Sequence, residues 1–213
     1  MADGGAAGRL DLADWRRRVA ELYAEVRALA GVDPVVAWHH WVEIREWLYR
    51  EHPQSPLPVN ARRGYRARHF EYDGSLRFEV AVEPAPPAPG GLSLALPNSG
   101  DDALSFERIG SVEIPFAGGP RRLSLFWMAG YSGGLFLPFR DATNGAETYG
   151  AGRYLIDSAK SADLGGDAAG GTLVVDFNFG FQPSCAFDPK WACPLAPPEN
   201  RLDIGIRAGE RMA

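Results

Sequence analysis

Cysteine, lysine and long apolar runs are all scarce in this 213-residue chain. Its two cysteines, Cys185 and Cys193, are too few for a small secreted disulfide scaffold. No stretch approaches the 18 or more apolar residues of a spanning helix, and the start, MADGGAAGRLDLADW, lacks a basic segment leading into an apolar one. A cytoplasmic location with no membrane partner is the expectation. Lysine occurs only at Lys160 and Lys190 among the 22 basic residues, and the surrounding abundance of Ala, Gly and Arg reads as GC-rich coding rather than as anion recognition. Complete catalytic signatures are missing too: G-x-S-x-G, H-E-x-x-H, a P-loop, or a G-x-G-x-x-G between strand and helix. Gly150-Ala151-Gly152 is too short to count. Whether the chain is an enzyme stays open, and no cofactor is implied.

Acidic residues outnumber basic ones, 27 to 22, and the net charge of −5 speaks against a nucleic-acid partner. By contrast, 25 Gly and 17 Pro point to many turns. Residues 1–9 are small and polar and read as a disordered start. From Asp11, Leu12, Trp15, Val19, Leu22, Tyr23, Val26 and Leu29 recur at helical spacing up to Gly31. Asp33-Pro34 then begins a second helix carrying Trp38, Trp41, Ile44, Trp47 and Leu48, ended by His52-Pro53. These predict a helical hairpin over 10–58 that clamps the outside of a β domain over 59–213. Four of the six tryptophans fall in the hairpin, which allows a homodimer as well as core packing.

Beyond Pro58 the period becomes alternating. Strands are predicted at Leu76–Val82, Leu92–Leu96, Leu104–Ile109, Ser111–Phe116, Arg121–Trp127, Leu135–Phe139, Arg153–Asp157, Thr172–Phe179 and Arg201–Ile206. Turn signals such as Pro84–Pro89, Gly90-Gly91 and Asn98-Ser99-Gly100 separate them. The fold class is mainly β: an antiparallel barrel or sandwich of about nine strands behind an N-terminal helical hairpin.

Polar chemistry concentrates between Phe136 and Asn200. Around the Asn144-Gly145 turn stand Arg140, Asp141, Thr143, Glu147, Tyr149 and Arg153. In one reading Asp141 and Thr143 close the turn while Arg140 or Arg153 pairs with Glu147; in the other the hairpin end presents its charges to a ligand. Asp176 and Asn178 alternate with Val175, Phe177, Phe179 and Phe181, so they face away from an aromatic core face. A loop stiffened by five prolines follows and holds Cys185, Cys193, Glu199 and Asn200. The cysteines read as a structural or redox-labile pair, or as buried thiols. A metal site is the weaker reading, because no histidine follows His69.

These segments, LFLPFRDATNGAETYGAGRY (135–154), VDFNF (175–179) and PSCAFDPKWACPLAPPENRL (183–202), closely resemble a bacterial family known as domain of unknown function family 1684. The stretch from Trp38 to Leu57 resembles its shorter members. The resemblance implies no activity; it implies only that Arg140, Asp141, Thr143, Glu147, Tyr149, Arg153, Asp176, Asn178, Cys185, Cys193, Glu199 and Asn200 match motif positions.

Two functions compete. One is a site for a small anionic metabolite bearing a carboxylate or phosphate, walled by the Arg140–Arg153 hairpin, the Asp176/Asn178 strand and the Cys185–Asn200 loop. There Arg140 and Arg153 would orient the anion, and Glu147, Asp176 or Glu199 would act as acid or base. The other is a structural or binding domain in which the same residues form a buried polar network.

Overall fold

The computed structural model describes residues 5–86, 93–96, 105–130 and 133–212. Helix α1 spans Ala6–Ala30 and α2 spans Pro34–Glu51. The expected disorder over 1–9 is therefore corrected for Ala6 to Arg9, where two alanines and Leu10 carry the helix back a further turn. Asp33 caps α2 by accepting from the backbone N–H groups of Val35 (2.8 Å) and Val36 (3.3 Å), with Pro34 in the first turn. A single turn, α3 (Val59–Arg62), leads into the sheet.

Seven strands follow among the described residues: β1 (Arg77–Pro84), β2 (Ser93–Ala95), β3 (Ser105–Ile114), β4 (Arg121–Met128), β5 (Leu135–Phe139), β6 (Arg153–Asp157) and β7 (Thr172–Asp176). All pairings are antiparallel, in the order β6-β5-β4-β3-β1-β7, with β2 also on β3. The sheet curls as a half-barrel. Tyr154 of β6 and Phe181, just beyond β7, exchange backbone hydrogen bonds of 2.8 and 3.0 Å.

Three departures from the nine expected strands have physical causes. The two strands predicted on either side of Gly110 are one, β3, which absorbs the glycine in a bulge between Arg108 and Gly110. Gly110 is needed there for closeness: a Cβ would sit 2.6 Å from the carbonyl oxygen of Glu83 on β1. The strand predicted to Phe179 ends at Asp176, whose carboxylate accepts from the N–H of Asn178 and starts a 3₁₀ turn over Phe177–Phe179. Residues 201–206 are not a strand; Arg201 makes one parallel bridge with Arg140. The turns expected at 90–91 and 98–100, and residues 87–89 of the one at 84–89, lie outside the described residues.

Alternation along the strands feeds two cores. Phe106, Phe126, Phe136 and Tyr154 point to one face, where Leu22, Tyr23 and Val26 of α1 and Ala37, Trp38 and Trp41 of α2 pack on them. Leu123, Leu125, Leu137 and Leu155 point to the other, which is closed by Leu202, Ile206 and Ala208 of the C-terminal segment. Both faces being covered explains why strands such as Leu135–Phe139 read as unbroken apolar runs. The hairpin is also tied down by polar contacts: the Trp38 indole N–H donates to the Asn178 carbonyl (3.0 Å), and Arg27 to that of Asp163 (2.7 Å).

No helix among the described residues is long and apolar enough to cross a membrane.

Candidate functional site

Arg153 stands at the centre of the expected hairpin cluster and is wholly buried. Its guanidinium donates to the Asp141 carboxylate (2.9 Å) and to the backbone carbonyls of Ile206 (2.8 Å), Glu210 (3.1 Å) and Ala208. The other Asp141 oxygen accepts from the N–H of Thr143 (2.7 Å), the Thr143 hydroxyl and the N–H of Ile206 (3.3 Å). Thr143 and Thr148 share a hydroxyl contact of 2.8 Å. Arg153 thus pairs with Asp141 rather than with Glu147, and fastens the C-terminal segment to β6. Gly152 precedes it with φ +101°, and an added Cβ would run into the Phe139 carbonyl.

The remaining candidates form separate groups. Glu147 pairs at the surface with Arg207 (2.9 Å), whose hydrogen bonds hold its carboxyl below the ordinary range. Arg140 donates to the carbonyl of Gly150 (2.9 Å). Asp176, at the end of the edge strand β7, and Asn178, in the 3₁₀ turn after it, are buried; Asn178 bridges the N–H and C=O of Asp73 at 2.8 Å each, and Asp176 faces Arg77 at 3.5 Å. Burial pushes the Asp176 carboxyl up, against the hydrogen bonds from Asn178. Glu199 is exposed. Asn200 is fully buried, accepting from the N–H of Ser124 (2.8 Å) and donating to the carbonyls of Ser124 (2.9 Å) and Pro138 (2.8 Å). None of these side chains lines the cavity described below.

Asn200 clamps two neighbouring strands where their ladder is incomplete. Asn200→Ala is expected to leave three buried backbone groups unpaired, at about 1–3 kcal/mol for each that finds no water. Urea unfolding would show a midpoint shifted down with an unchanged slope.

The cysteines lie in the loop behind this network. Both are buried; the Cys185 N–H donates to the Cys193 sulfur (3.4 Å), and the Tyr149 hydroxyl to the Cys185 sulfur (3.7 Å). The contact with Cys185, together with burial, pushes the Cys193 thiol far up, so it stays protonated at neutral pH. Among the described residues no three His, Cys, Asp or Glu side chains gather to hold a metal.

A partly enclosed space that does bring chemistry together lies elsewhere among the described residues, between the hairpin and the sheet. A cavity of about 230 Å³ is walled by Trp15, Val19 and Tyr23 of α1, Arg45 and Tyr49 of α2, and Tyr154, Phe181 and Cys193 of the β domain. Arg16 and Lys160 stand along it, and Trp191 and Ala192 of the cysteine loop complete it. At its floor Arg45 grips Glu210 (2.6 and 3.3 Å) and lies over the rings of Tyr49 (4.5 Å), Phe181 (4.8 Å) and Trp41 (5.4 Å). Burial would raise the Glu210 carboxyl, but Arg45 more than reverses this and holds it below the ordinary range. His69, with its Nε2 buried and 4.0 Å from Glu210, is pushed down by burial. Burial pushes the Tyr23 phenol up to about 12, so it is a neutral hydroxyl.

Of the expected loop, Pro183, Ser184, Trp191, Ala192 and Cys193 reach this cavity. The residues missed are those of the hairpin, whose aromatic stripe reads as core packing, and Lys160, one of only two lysines.

Sheet, hairpin and enclosed cleft together define a mainly antiparallel β protein with a small aromatic-lined cavity beneath a helical clamp. The chain belongs to the family described as Protein of unknown function (DUF1684), whose model matches residues 66–211. It is similar to the uncharacterized protein of Haloarcula marismortui known from a solution NMR structure, at 30% identity and a TM-score of 0.58, over 80% of this chain and 90% of that one. No curated protein matches it. The family match begins at Arg66, after the hairpin that supplies half of the cavity wall.

Proposed function

We propose that this protein is a small-molecule binding domain whose site is the cleft between hairpin and sheet. The observation that carries the reading is the cavity itself: about 230 Å³, aromatic on both sides, with a few polar groups such as Arg16, Arg45, Gln54, Lys160 and Gln182 in its lining. Such a shape suits a ligand smaller than those filling typical pockets of roughly 300–1,000 Å³. The Arg140–Arg153 hairpin, Asp176, Asn178 and Asn200 serve it as a rigid polar frame, which joins the two functions weighed from the sequence. Binding is favoured over catalysis because the groups facing the cleft are held in their resting forms: Cys193 as thiol, Tyr23 as phenol, Arg45 locked by Glu210.

The test is a thermal-shift screen with small aromatic and aliphatic compounds of every charge, run on the native chain and on Ala192→Trp. Ala192 is exposed at the cleft edge, so the indole obstructs the space without entering the core. A binder at 100 times its Kd adds about 2.7 kcal/mol, which for a chain of this length raises Tm by roughly 5–10 °C. The shift is expected to vanish in Ala192→Trp. Persistence of all shifts in that variant would refute the cleft as the site.

A further inference from the structure

Charge arithmetic around the cleft narrows the ligand class. Five charged side chains stand on or beside its walls: Arg16, Arg45, Lys160, Asp157 and Glu210. Arg45 is neutralised by Glu210 at 2.6 Å, and Lys160 by Asp157 at 3.2 Å. Arg16 is left over. Its neighbours Arg17 and Arg18 both pair with Asp14, at 3.0 and 2.7 Å, whereas Arg16 makes no ion pair or hydrogen bond among the described residues. It faces the cleft close enough to Lys160 for the two like charges to repel. Two cations from different elements, α1 and the turn after β6, thus line one largely apolar cleft, and a single carboxylate, Asp157, pairs with Lys160 alone. Folding gains nothing from that juxtaposition; an anion placed there relieves it.

We infer that the cleft takes a monoanionic amphiphile, a carboxylate on an apolar ring or short chain, its head between Arg16 and Lys160 and its body against Trp15, Tyr23 and Phe181. Size agrees with the class. An apolar cavity of 150 Å³ holds benzene, so by proportion about 230 Å³ holds roughly nine or ten heavy atoms, one ring with a three-carbon arm whose carboxylate oxygens lie at the edge. This inference rests on the cleft reading and adds the charge of the ligand to it.

The experiment compares three probes sharing one body, phenylpropanoate, phenylpropanol and phenylpropylamine, by calorimetry and thermal shift on the full chain. The carboxylate is expected to bind at least about fivefold tighter than the alcohol, with the amine weakest, and added salt is expected to narrow the gap. Arg16→Gln with Lys160→Gln is expected to abolish that preference, and Arg17→Gln, on the same helical turn, to keep it. Both substituted side chains are exposed, but Lys160→Gln takes the ion-pair partner from the buried Asp157 carboxylate, so the double variant is expected to melt lower. A single cooperative transition certifies its folding, and Arg16→Gln alone, with a near-native Tm, is expected to lose part of the preference. Equal binding of carboxylate and alcohol, or a preference for the amine, would overturn the anion class and leave the cleft standing. A preference surviving in the double variant would overturn the assignment to Arg16 and Lys160. Binding by none of the three would overturn the class, and silence across the wider screen as well would remove the cleft reading.

Discussion

Arg153→Met is expected to cost the fold about 3–5 kcal/mol, the cost of leaving a buried charge without its partner. Methionine matches the volume of the stem but donates nothing. It strands the Asp141 carboxylate in the core and removes the donor shared by the carbonyls of Ile206, Ala208 and Glu210. For a chain of this length the loss appears as a Tm lower by roughly 6–20 °C. Arg153→Lys is not a rescue, because one ammonium cannot span a carboxylate and three carbonyls fixed to the geometry of a fork. Adding Asp141→Asn to Arg153→Met is expected to recover part of the loss: it removes the orphaned charge and keeps an oxygen for the N–H groups of Thr143 and Ile206. Calorimetry of the four proteins gives the coupling directly. A double variant no better than Arg153→Met would show that the lost carbonyl contacts, not the stranded carboxylate, dominate.

Arg45→Met is expected to be equally severe, and its cost to depend on pH. In the native protein Glu210 has its pKa below the unfolded value of about 4.3, so its stabilisation is complete above that pH and disappears as pH falls through the folded pKa. His69, pushed down by burial from about 6.5, adds a second loss that begins as pH falls below 6.5. Without Arg45, burial raises the Glu210 carboxyl instead. The variant then carries a penalty at neutral pH that protonation relieves, so the gap to the native protein narrows as the solution is acidified. Urea titrations at pH 7 and pH 5 read this out; a gap that widens toward pH 5 would contradict it. Because Arg45 comes from α2 and Glu210 from the C-terminal segment, the variant should also expose the hairpin to protease before the sheet.

How far the sequence leads depends on the range of the interaction involved. The helices and most strands follow from local rules: Asp33-Pro34 as a cap, the three- and four-residue spacing from Leu12 to Leu29, and alternation in Leu76–Val82. The failures are places where a distant group decides. Gly110 reads as a break because its closeness to Glu83 on β1 is a tertiary fact. Residues 201–206 have strand composition, but their backbone is claimed by Arg140, Asp141 and Arg153 across the core. The polar candidates were legible as a set, and their partners were not. Arg153 chooses Asp141 over Glu147 because both are buried on one side of the turn while Arg207, 60 residues on, takes Glu147. The cleft was least legible of all: its walls come from segments more than a hundred residues apart, and each wall alone looks like core.

On the reading proposed above, a ligand sits under the hairpin while the motif residues build the frame. Backbone and indole chemical-shift perturbation with phenylpropanoate tests this most directly. Shifts are expected to centre on Trp15, Tyr23, Tyr154, Lys160 and Cys193 and to fade before Asp141 and Asn178. Perturbation centred instead on Arg140–Arg153 and on Asp176 and Asn178, with the hairpin tryptophans unmoved, would contradict it.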